Sequence, residues 1–110
     1  DIRVTVLQGV DGVVFVADAQ EHRLGENVEF FNLLKEDLPK IGKRYEEVPV
    51  VIQYNKMDLP NALPFEVLED KINKDRLPSV RAIAIKGEGV LETFSLLEGL
   101  LLSKLERVIG

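Results

Sequence analysis

Several residue types that support specific chemistry are missing or scarce in this chain. It contains no cysteine and one histidine, His22. The absence of cysteine excludes disulfides, thiolate metal sites, cysteine nucleophiles and lipid anchors attached to cysteine. A single histidine excludes a site built from several histidines. No apolar run approaches the roughly 18 residues that a membrane-spanning helix needs, and we therefore expect no membrane anchor.

Basic residues are also in the minority. The chain has 14 lysines and arginines against 19 acidic residues, for a net charge of −5. No basic run exceeds two residues, whereas nucleic-acid binding needs clustered positive charge. The 110 residues are 45% hydrophobic and 30% charged. This composition is typical of one globular domain, and we expect a cytoplasmic protein with no nucleic-acid partner.

The apolar residues alternate between two kinds of pattern. Continuous apolar runs at 12–18, 48–54 and 79–85 indicate strands buried on both faces. Between and after them, apolar residues recur every three or four positions, which predicts helices over about 24–41, 64–72 and 90–108. Pro39 should kink or end the first helix. The order β-α-β-α-β-α favours an α/β fold, a three-layer open parallel sheet.

The beginning of the chain is ambiguous. The segment IRVTVL within residues 1–9 has the β-branched content of a strand, but it could also be the end of a helix capped by Gly9. The first residue is Asp1 rather than methionine, which suggests that the sequence is a piece of a longer protein.

The polar stretch Asn55-Lys56-Met57-Asp58 follows the second buried strand. In open α/β sheets ligands bind outside the carboxyl ends of the strands. Ala84-Ile85-Lys86-Gly87 follows the third strand, so the two segments should be neighbours. A carboxylate at this position can accept two parallel hydrogen bonds from an N–H and an adjacent amino group. Guanine presents that pair on its Watson–Crick edge, and adenine does not.

These residues carry a family resemblance. Asn55-Lys56-Met57-Asp58 matches the Asn-Lys-x-Asp guanine-recognition motif of the Ras-like small GTPases. The segment AIAIKGEGV at 82–90 is similar to the second base-binding loop of that superfamily, in its Arf-like form. With GVDGVVFVAD and GEGVLETF, the chain most resembles the bacterial gliding-motility small GTPases of the MglA (mutual gliding motility protein A) type. The resemblance covers nearly the whole chain and implies the carboxyl-terminal half of a P-loop small-GTPase fold.

The resemblance implies a role for each site residue. Asp58 would accept the guanine N1–H and exocyclic amine, and Asn55 would contact the base and tie the two loops together. The alkyl stem of Lys56 would lie over the purine. The N–H of Ala84 would donate to guanine O6. The family often has a lysine after this alanine, whereas this chain has Ile85 and then Lys86, which leaves open which side chain covers the other face of the base.

One part of the family pattern is missing. No Gly-x-x-x-x-Gly-Lys-Ser/Thr phosphate loop occurs, and neither a serine or threonine suited to Mg²⁺ nor an Asp-x-x-Gly switch precedes the first strand. The resemblance implies that residues 1–110 form a partial domain, the base-recognition half, beginning after the second switch. The intact domain would bind GTP or GDP with Mg²⁺ and hydrolyse GTP. The 110 residues alone should not.

Three further expectations depend on the resemblance. Residues 1–9 would be the end of a helix, and we adopt this in place of the local strand pattern. The first strand would leave an unpaired edge at 13–17, through which the isolated chain could dimerise. The intact protein would be a switch in cell polarity or gliding motility, regulated by a roadblock-fold GTPase-activating partner.

Simpler alternatives exist for each feature. Asn-Lys-x-Asp could be a solvated polar loop, Ala84 a small residue at a strand end, and Lys86 a solvated turn lysine. Gly87 and Gly89 are interpreted as a turn before a helix, and Asp18 as a capping residue in place of a metal ligand or catalytic acid. The alternative function is a non-enzymatic α/β interaction domain that retains a GTPase-like scaffold.

Overall fold

The structure, a computed structural model, describes residues 4–6 and 12–109. Four strands form one sheet in the order β1-β2-β3-β4. They are β1 (Val4–Val6), β2 (Val13–Asp18), β3 (Val50–Asn55) and β4 (Ser79–Arg81). The α-helices of this part of the chain are α1 (Leu24–Asp37), α2 (Phe65–Lys71) and α3 (Val90–Ile109). Strands β2, β3 and β4 are parallel, which confirms the predicted α/β class.

Strands β2 and β3 form the centre of the sheet. They pair over their whole length, from Val13 opposite Val50 to Asp18 opposite Asn55. Nearly all their side chains are buried, as continuous apolar runs predict for strands covered on both faces. Because the pairing is in register to the last residue, both strands end at the same level and place their following loops side by side.

The two faces of the sheet are covered by different helices. On one face Phe15 and Ile52 belong to a cluster that includes Phe31 and Leu34 of α1 and Leu68 of α2. On the other face the cluster consists of Val14, Val51, Val80 and Leu97, with Val16, Leu100 and Leu101 packed against it. The layers are therefore α1 with α2, the sheet, and α3. We call these the α1/α2 face and the α3 face.

Helix α1 ends where the sequence predicts. A 3₁₀ helix, Leu38–Ile41, continues from it, with Pro39 in the first turn, where a missing N–H costs no hydrogen bond. Gly42 then stops the helix at φ 79°, and its N–H is donated to the Leu38 and Pro39 carbonyls. Phe31, Leu34 and Leu38, which recur at helical spacing, are buried, but Ile41 is exposed because the chain has already turned away from the core.

The expected helix at residues 1–9 is wrong where the structure describes this segment. Residues 4–6 are strand β1, antiparallel to β2, with Val4 opposite Phe15 and Val6 opposite Val13. All three residues are β-branched, and the edge of β2 offers them a ladder of hydrogen bonds, so the strand pattern prevails. The expected unpaired edge is also wrong for residues 13–15. Residues 1–3 and 7–9 lie outside the described residues.

The predicted third strand is shorter than its apolar run. β4 ends at Arg81, an isolated antiparallel bridge joins Ile83 to Glu88, and a 3₁₀ helix covers Ala84–Lys86. The turn occurs because Gly87 and Gly89 take positive φ angles that fold the chain back towards Ile83. Ala84 is thus in a turn beyond the strand and is not a strand-end residue.

Helix α3 is only partly covered. Leu97 is completely buried, but Leu91, Phe94 and Leu105, which recur at the same three- and four-residue spacing, are exposed. The reason is geometric: 20 residues of helix extend for about 30 Å, much farther than the strands it covers. Among the helices of the described residues, none combines the length and apolar character that crossing a bilayer requires.

Candidate functional site

The candidate site lies where β2 and β3 end. Asp18 and Asn55 are paired as the last residues of the two strands. The Asn-Lys-x-Asp loop leaves β3 at Asn55, and the second loop begins after β4 at residue 82. The parallel sheet therefore brings the two segments of the motif together at its carboxyl edge, as the sequence predicts.

A side-chain hydrogen bond joins the two loops. The N–H of Ala84 is donated to Asn55 Oδ1 over 2.8 Å. A second link is made by the main chain, because the Met57 N–H is donated to the Ala82 carbonyl over 3.3 Å. Met57 also packs against the core of the α1/α2 face. Met57 thus anchors the motif loop, while Asn55 fixes the relative position of both loops.

The N–H of Ala84 already has an acceptor within the protein. The resemblance assigns its N–H to guanine O6, but here Asn55 accepts that N–H. A base oxygen at this position would share the donor with Asn55 in a bifurcated hydrogen bond or replace it. The hydrogen bond to Asn55 is itself a link between the two loops.

Lys56 has an unusual backbone. Its φ is 66°, in the left-handed region that residues with a Cβ rarely occupy. Its Nζ lies 3.0 Å from Asp18 Oδ2, across to the end of the neighbouring strand. The side chain remains 45% exposed. Lys56 is therefore directed over the loop end of β2 and is not simply solvated.

Asp18 is the site residue whose surroundings the sequence did not predict. Its side chain caps neither the 3₁₀ helix Glu21–Arg23 nor α1, the two helical segments that follow it, so the capping interpretation is wrong. Instead Gln20 donates its main-chain N–H to Oδ1 over 3.0 Å and its Nε2 to both carboxylate oxygens. Burial alone would raise the pKa of Asp18, but the hydrogen bonds from Gln20 and the charge of Lys56 outweigh it and lower the pKa. The carboxylate is therefore ionised at neutral pH.

A signal for Asp18 was nevertheless present in the sequence. It is the last residue of one buried strand, and Lys56 follows the last residue of the next. Parallel neighbours that end in register bring such side chains within reach of each other. The register itself, however, is known only from the structure.

The remaining predicted residues are solvent-exposed. Asp58 and Lys86 are exposed, and Ile85 is 94% exposed. Ile85 belongs to neither hydrophobic cluster of the described residues, which is an unusual environment for a large aliphatic side chain beside a polar loop. The three residues are thus available to a ligand at the carboxyl edge.

Gly89 brings the second loop onto the sheet. Its φ is 80°, and a Cβ at this position would lie 2.3 Å from the Arg81 carbonyl oxygen and 2.9 Å from Ala82 Cα. Gly87 has a similar φ of 75°, but a Cβ there would meet no described atom within 4 Å apart from its chain neighbours. The interpretation of these glycines as a turn before a helix is confirmed, since α3 begins at Val90.

The loop after β2 is fastened to the motif loop. Gln20 and Ala62 form an isolated antiparallel bridge, and the Leu63 N–H is donated to the Ala19 carbonyl over 2.8 Å. Asn61 accepts the Glu21 N–H through its main-chain oxygen. Segments 19–21 and 61–63 are therefore joined by main-chain hydrogen bonds.

The described part of the chain offers few ligands to a metal ion. Residues 4–6 and 12–109 contain no group of three or more histidine, cysteine, aspartate or glutamate side chains that could hold one. The Mg²⁺ that the resemblance implies for an intact domain does not fit the donors present here. No chemical step of these residues is assigned to it.

Comparisons with known proteins place the chain among related sequences. The profile of the ADP-ribosylation factor (Arf) family matches residues 5–105. The mutual gliding-motility protein MglA of Myxococcus xanthus (strain DK1622) is 41% identical over 105 residues, which are 96% of this chain and 54% of that protein. This chain thus spans about half the length of the curated relative it matches.

A solved structure shares the fold. It is that of the Arl6 BBS3 small GTPase from Trypanosoma brucei, determined with the bound nucleotide analogue GppNp. The match has a TM-score of 0.70 and 26% sequence identity, and it covers 87% of this chain and 61% of the other.

Proposed function

The chain belongs to the ADP-ribosylation factor family of small GTPases, and from that membership we propose that it recognises guanine for an MglA-type GTP/GDP switch. The observation that supports this most directly is the hydrogen bond from the Ala84 N–H to Asn55 Oδ1. It joins two loops that are far apart in sequence into one edge. Asp58 and Ile85 are exposed on these loops.

Each site residue has a specific task in the proposal. The Asp58 carboxylate accepts the N1–H and exocyclic amine of guanine, and adenine, which lacks that donor pair, leaves it unpaired. The stem of Lys56 lies over one face of the base, and Ile85 or Lys86 covers the other. Ala84 donates its N–H to O6, and Asn55 contacts the base while keeping the loops together.

The intact protein has further functions in this proposal. Its phosphate loop and switches would bind the nucleotide phosphates and Mg²⁺ and hydrolyse GTP, because phosphoryl transfer depends on positioning and charge around the phosphates. These 110 residues would supply base specificity and no hydrolysis. The name of the similar gliding-motility protein supports a role in gliding motility. The role in cell polarity, the cytoplasmic location and the roadblock-fold activating partner are proposed from the family resemblance of the motifs.

The first test is calorimetric titration of the chain with GDP and, in parallel, ADP, after circular dichroism has established that it is folded. Binding of GDP without ADP supports the proposal. A folded chain that binds neither nucleotide is next extended to the complete encoded protein. If that protein also fails to bind GDP, the non-enzymatic interaction domain becomes the better explanation.

Substitution of Asp58 tests the specificity directly. Asp58→Asn should lower GDP affinity about 10- to 100-fold, since charge-assisted hydrogen bonds contribute about 1.5–3 kcal/mol. The same variant should gain affinity for xanthosine diphosphate, because xanthine has an acceptor oxygen where guanine has its amine. Asp70→Asn, an exposed carboxylate on α2, is the control. Equal GDP affinity of Asp58→Asn and the unmodified chain would refute the assignment.

A further inference from the structure

We propose that Asp18 is a positioning residue for base recognition, acting by fixing the ammonium group of Lys56. This rests on the proposed function and deepens it, because Asp18 lies outside both base-binding loops. The contact that carries the proposal is the 3.0 Å ion pair between Lys56 Nζ and Asp18 Oδ2. Because its ammonium group is held at Asp18, the alkyl stem of Lys56 extends along the carboxyl edge of the sheet, from the end of β3 towards the end of β2.

Asp18 is itself rigidly held. Its side chain is 3% exposed, and Gln20 binds both carboxylate oxygens over 2.9–3.0 Å. Its main chain is fixed by buried Asn27 of α1, whose Nδ2 is donated to the Asp18 carbonyl over 2.7 Å and whose Oδ1 accepts the Asp18 N–H over 3.4 Å. The carboxylate is therefore a fixed point, joined to the core through both the strand and the helix.

The buried charge of Asp18 requires a cation. An ionised carboxylate removed from water is unfavourable unless it is paired. Arg23 is the other basic group nearby, but its Nε is 4.0 Å from Oδ2 and makes no hydrogen bond among the described residues. Lys56 is the closer counter-ion and donates directly to the carboxylate. The pairing thus favours one arrangement of the lysine side chain.

This arrangement prepares Lys56 for a ligand. A free lysine side chain samples many rotamers, and ordering it on binding reduces affinity. The backbone of Lys56 is already restricted at φ 66°, and its carbonyl accepts the Leu59 N–H over 3.2 Å. With the ammonium group also held, little freedom remains to be lost when a purine packs against the stem.

Two substitutions distinguish the effect of the Asp18 charge from that of the Lys56 alkyl stem. Asp18→Asn keeps the size of the side chain and a carbonyl oxygen for Gln20 but removes the charge. Lys56→Met keeps an apolar stem and removes the ammonium group. Asp18→Asn should lower GDP affinity about 3- to 10-fold, a modest effect because Lys56 is partly exposed and ion pairs in contact with solvent are weak.

The double variant distinguishes positioning from general stabilisation. If Asp18 acts through the ammonium group, Asp18→Asn should have no further effect on GDP affinity in the Lys56→Met background. Asp75→Asn is the matched control, since Asp75 pairs with Lys35 over 2.8 Å at a distance from the site. It should leave GDP affinity unchanged. An equal loss from Asp18→Asn in both backgrounds would show that Asp18 has only a structural role.

A measurement without nucleotide keeps the two proposals separable. NMR relaxation of the lysine side chains should show Lys56 ordered in the unmodified chain and mobile in Asp18→Asn, with Asp75→Asn resembling the unmodified chain at Lys56. Unchanged Lys56 mobility in Asp18→Asn would overturn the positioning role. If the unmodified chain binds no GDP, the proposed function fails, and this measurement still decides whether Asp18 orders Lys56.

Discussion

The two faces of the sheet are built from similar residues but are covered to different extents. On the α1/α2 face, Phe15, Ile52 and Tyr54 are completely enclosed by two helices and the loops that join them. On the α3 face a single helix covers Val14, Val51 and Val80. Leu91 is 82% exposed on that helix, and Leu102 and Leu105 are exposed by 54% and 53%.

The comparison shows what an amphipathic pattern establishes. It identifies which residues can be buried, but burial also requires an opposing surface. Helix α1 has such a surface along its whole length, whereas α3 extends past three short parallel strands. The exposed leucines of α3 therefore form an apolar surface on which additional protein could pack.

The largest effect is expected from truncating a central side chain on the α1/α2 face. Phe15→Ala should destabilise the chain by about 3–5 kcal/mol, because it removes a buried ring and leaves a cavity. Phe15 also packs edge to face on Phe31, with ring centroids 5.2 Å apart. Chemical denaturation of this variant and of Leu97→Ala compares the faces. A smaller loss for Phe15→Ala than for Leu97→Ala would contradict the view that the α1/α2 face is the main core.

The second-largest effect on stability is expected at Gly89, where the second loop meets the start of α3. Gly89→Ala should cost about 2–4 kcal/mol, from positive φ and from the collision with the Arg81 main chain. It should also weaken GDP binding by displacing Ala84. Gly87→Ala is the control, because it has the φ penalty alone and should cost about 1 kcal/mol. Equal losses of stability for the two variants would show that close packing at Gly89 is unimportant.

A smaller effect is expected from acidification of the α1/α2 face. Asp75 Oδ2 accepts hydrogen bonds from Lys35 and Tyr45, and these lower its pKa. Burial, and next the hydrogen bond to Asp75, raise the pKa of Tyr45. The neutral phenol is the donor in that hydrogen bond. The contribution of the Asp75 charge to folding stability should therefore be complete above the unfolded pKa of about 4. It should be lost as pH falls through the lower pKa of the folded state.

The size of this contribution should not exceed about 1 kcal/mol, because the pair is in contact with solvent. Denaturation of the unmodified chain and of Asp75→Asn between pH 7 and the acid range measures it, and the stability difference between them should shrink towards low pH. A difference that stays constant across this range would mean that the Asp75 charge does not stabilise the fold.

The smallest effect on stability is expected on the exposed part of the α3 face. Replacing Leu102 and Leu105 by glutamine should change stability by less than about 0.5 kcal/mol each, as is usual for surface positions. Because β1 pairs with residues 13–15, dimerisation through the sheet would need another edge. It stays a prediction, and size-exclusion chromatography distinguishes it from association through α3. If the unmodified chain is dimeric and the double variant is monomeric, the exposed leucines form the contact. A dimer unaffected by the variant would favour the sheet edge.

Much of the fold could be predicted from local pattern. The Val-rich runs around Phe15 and Ile52 predicted strands buried on both faces, and the three- and four-residue spacing around Phe31 and Leu34 predicted α1. These predictions succeed because burial on both sides of a strand, or on one side of a helix, imposes a period on the sequence. Residues 4–6 show the limit, since a family resemblance indicated helix and the unpaired edge of β2 favoured strand.

The sequence by itself determined the order of strands and helices from β2 onward, the motif at residues 55–58, and the placement of that motif at a carboxyl edge. Each follows from residue type and spacing along the chain. Only the tertiary structure decided that Asp18 pairs with Lys56, that the Ala84 N–H is donated to Asn55, and that Leu91 is exposed. The physical reason is that these depend on strand register and on the length of one element relative to another, which are set by packing between segments distant in sequence.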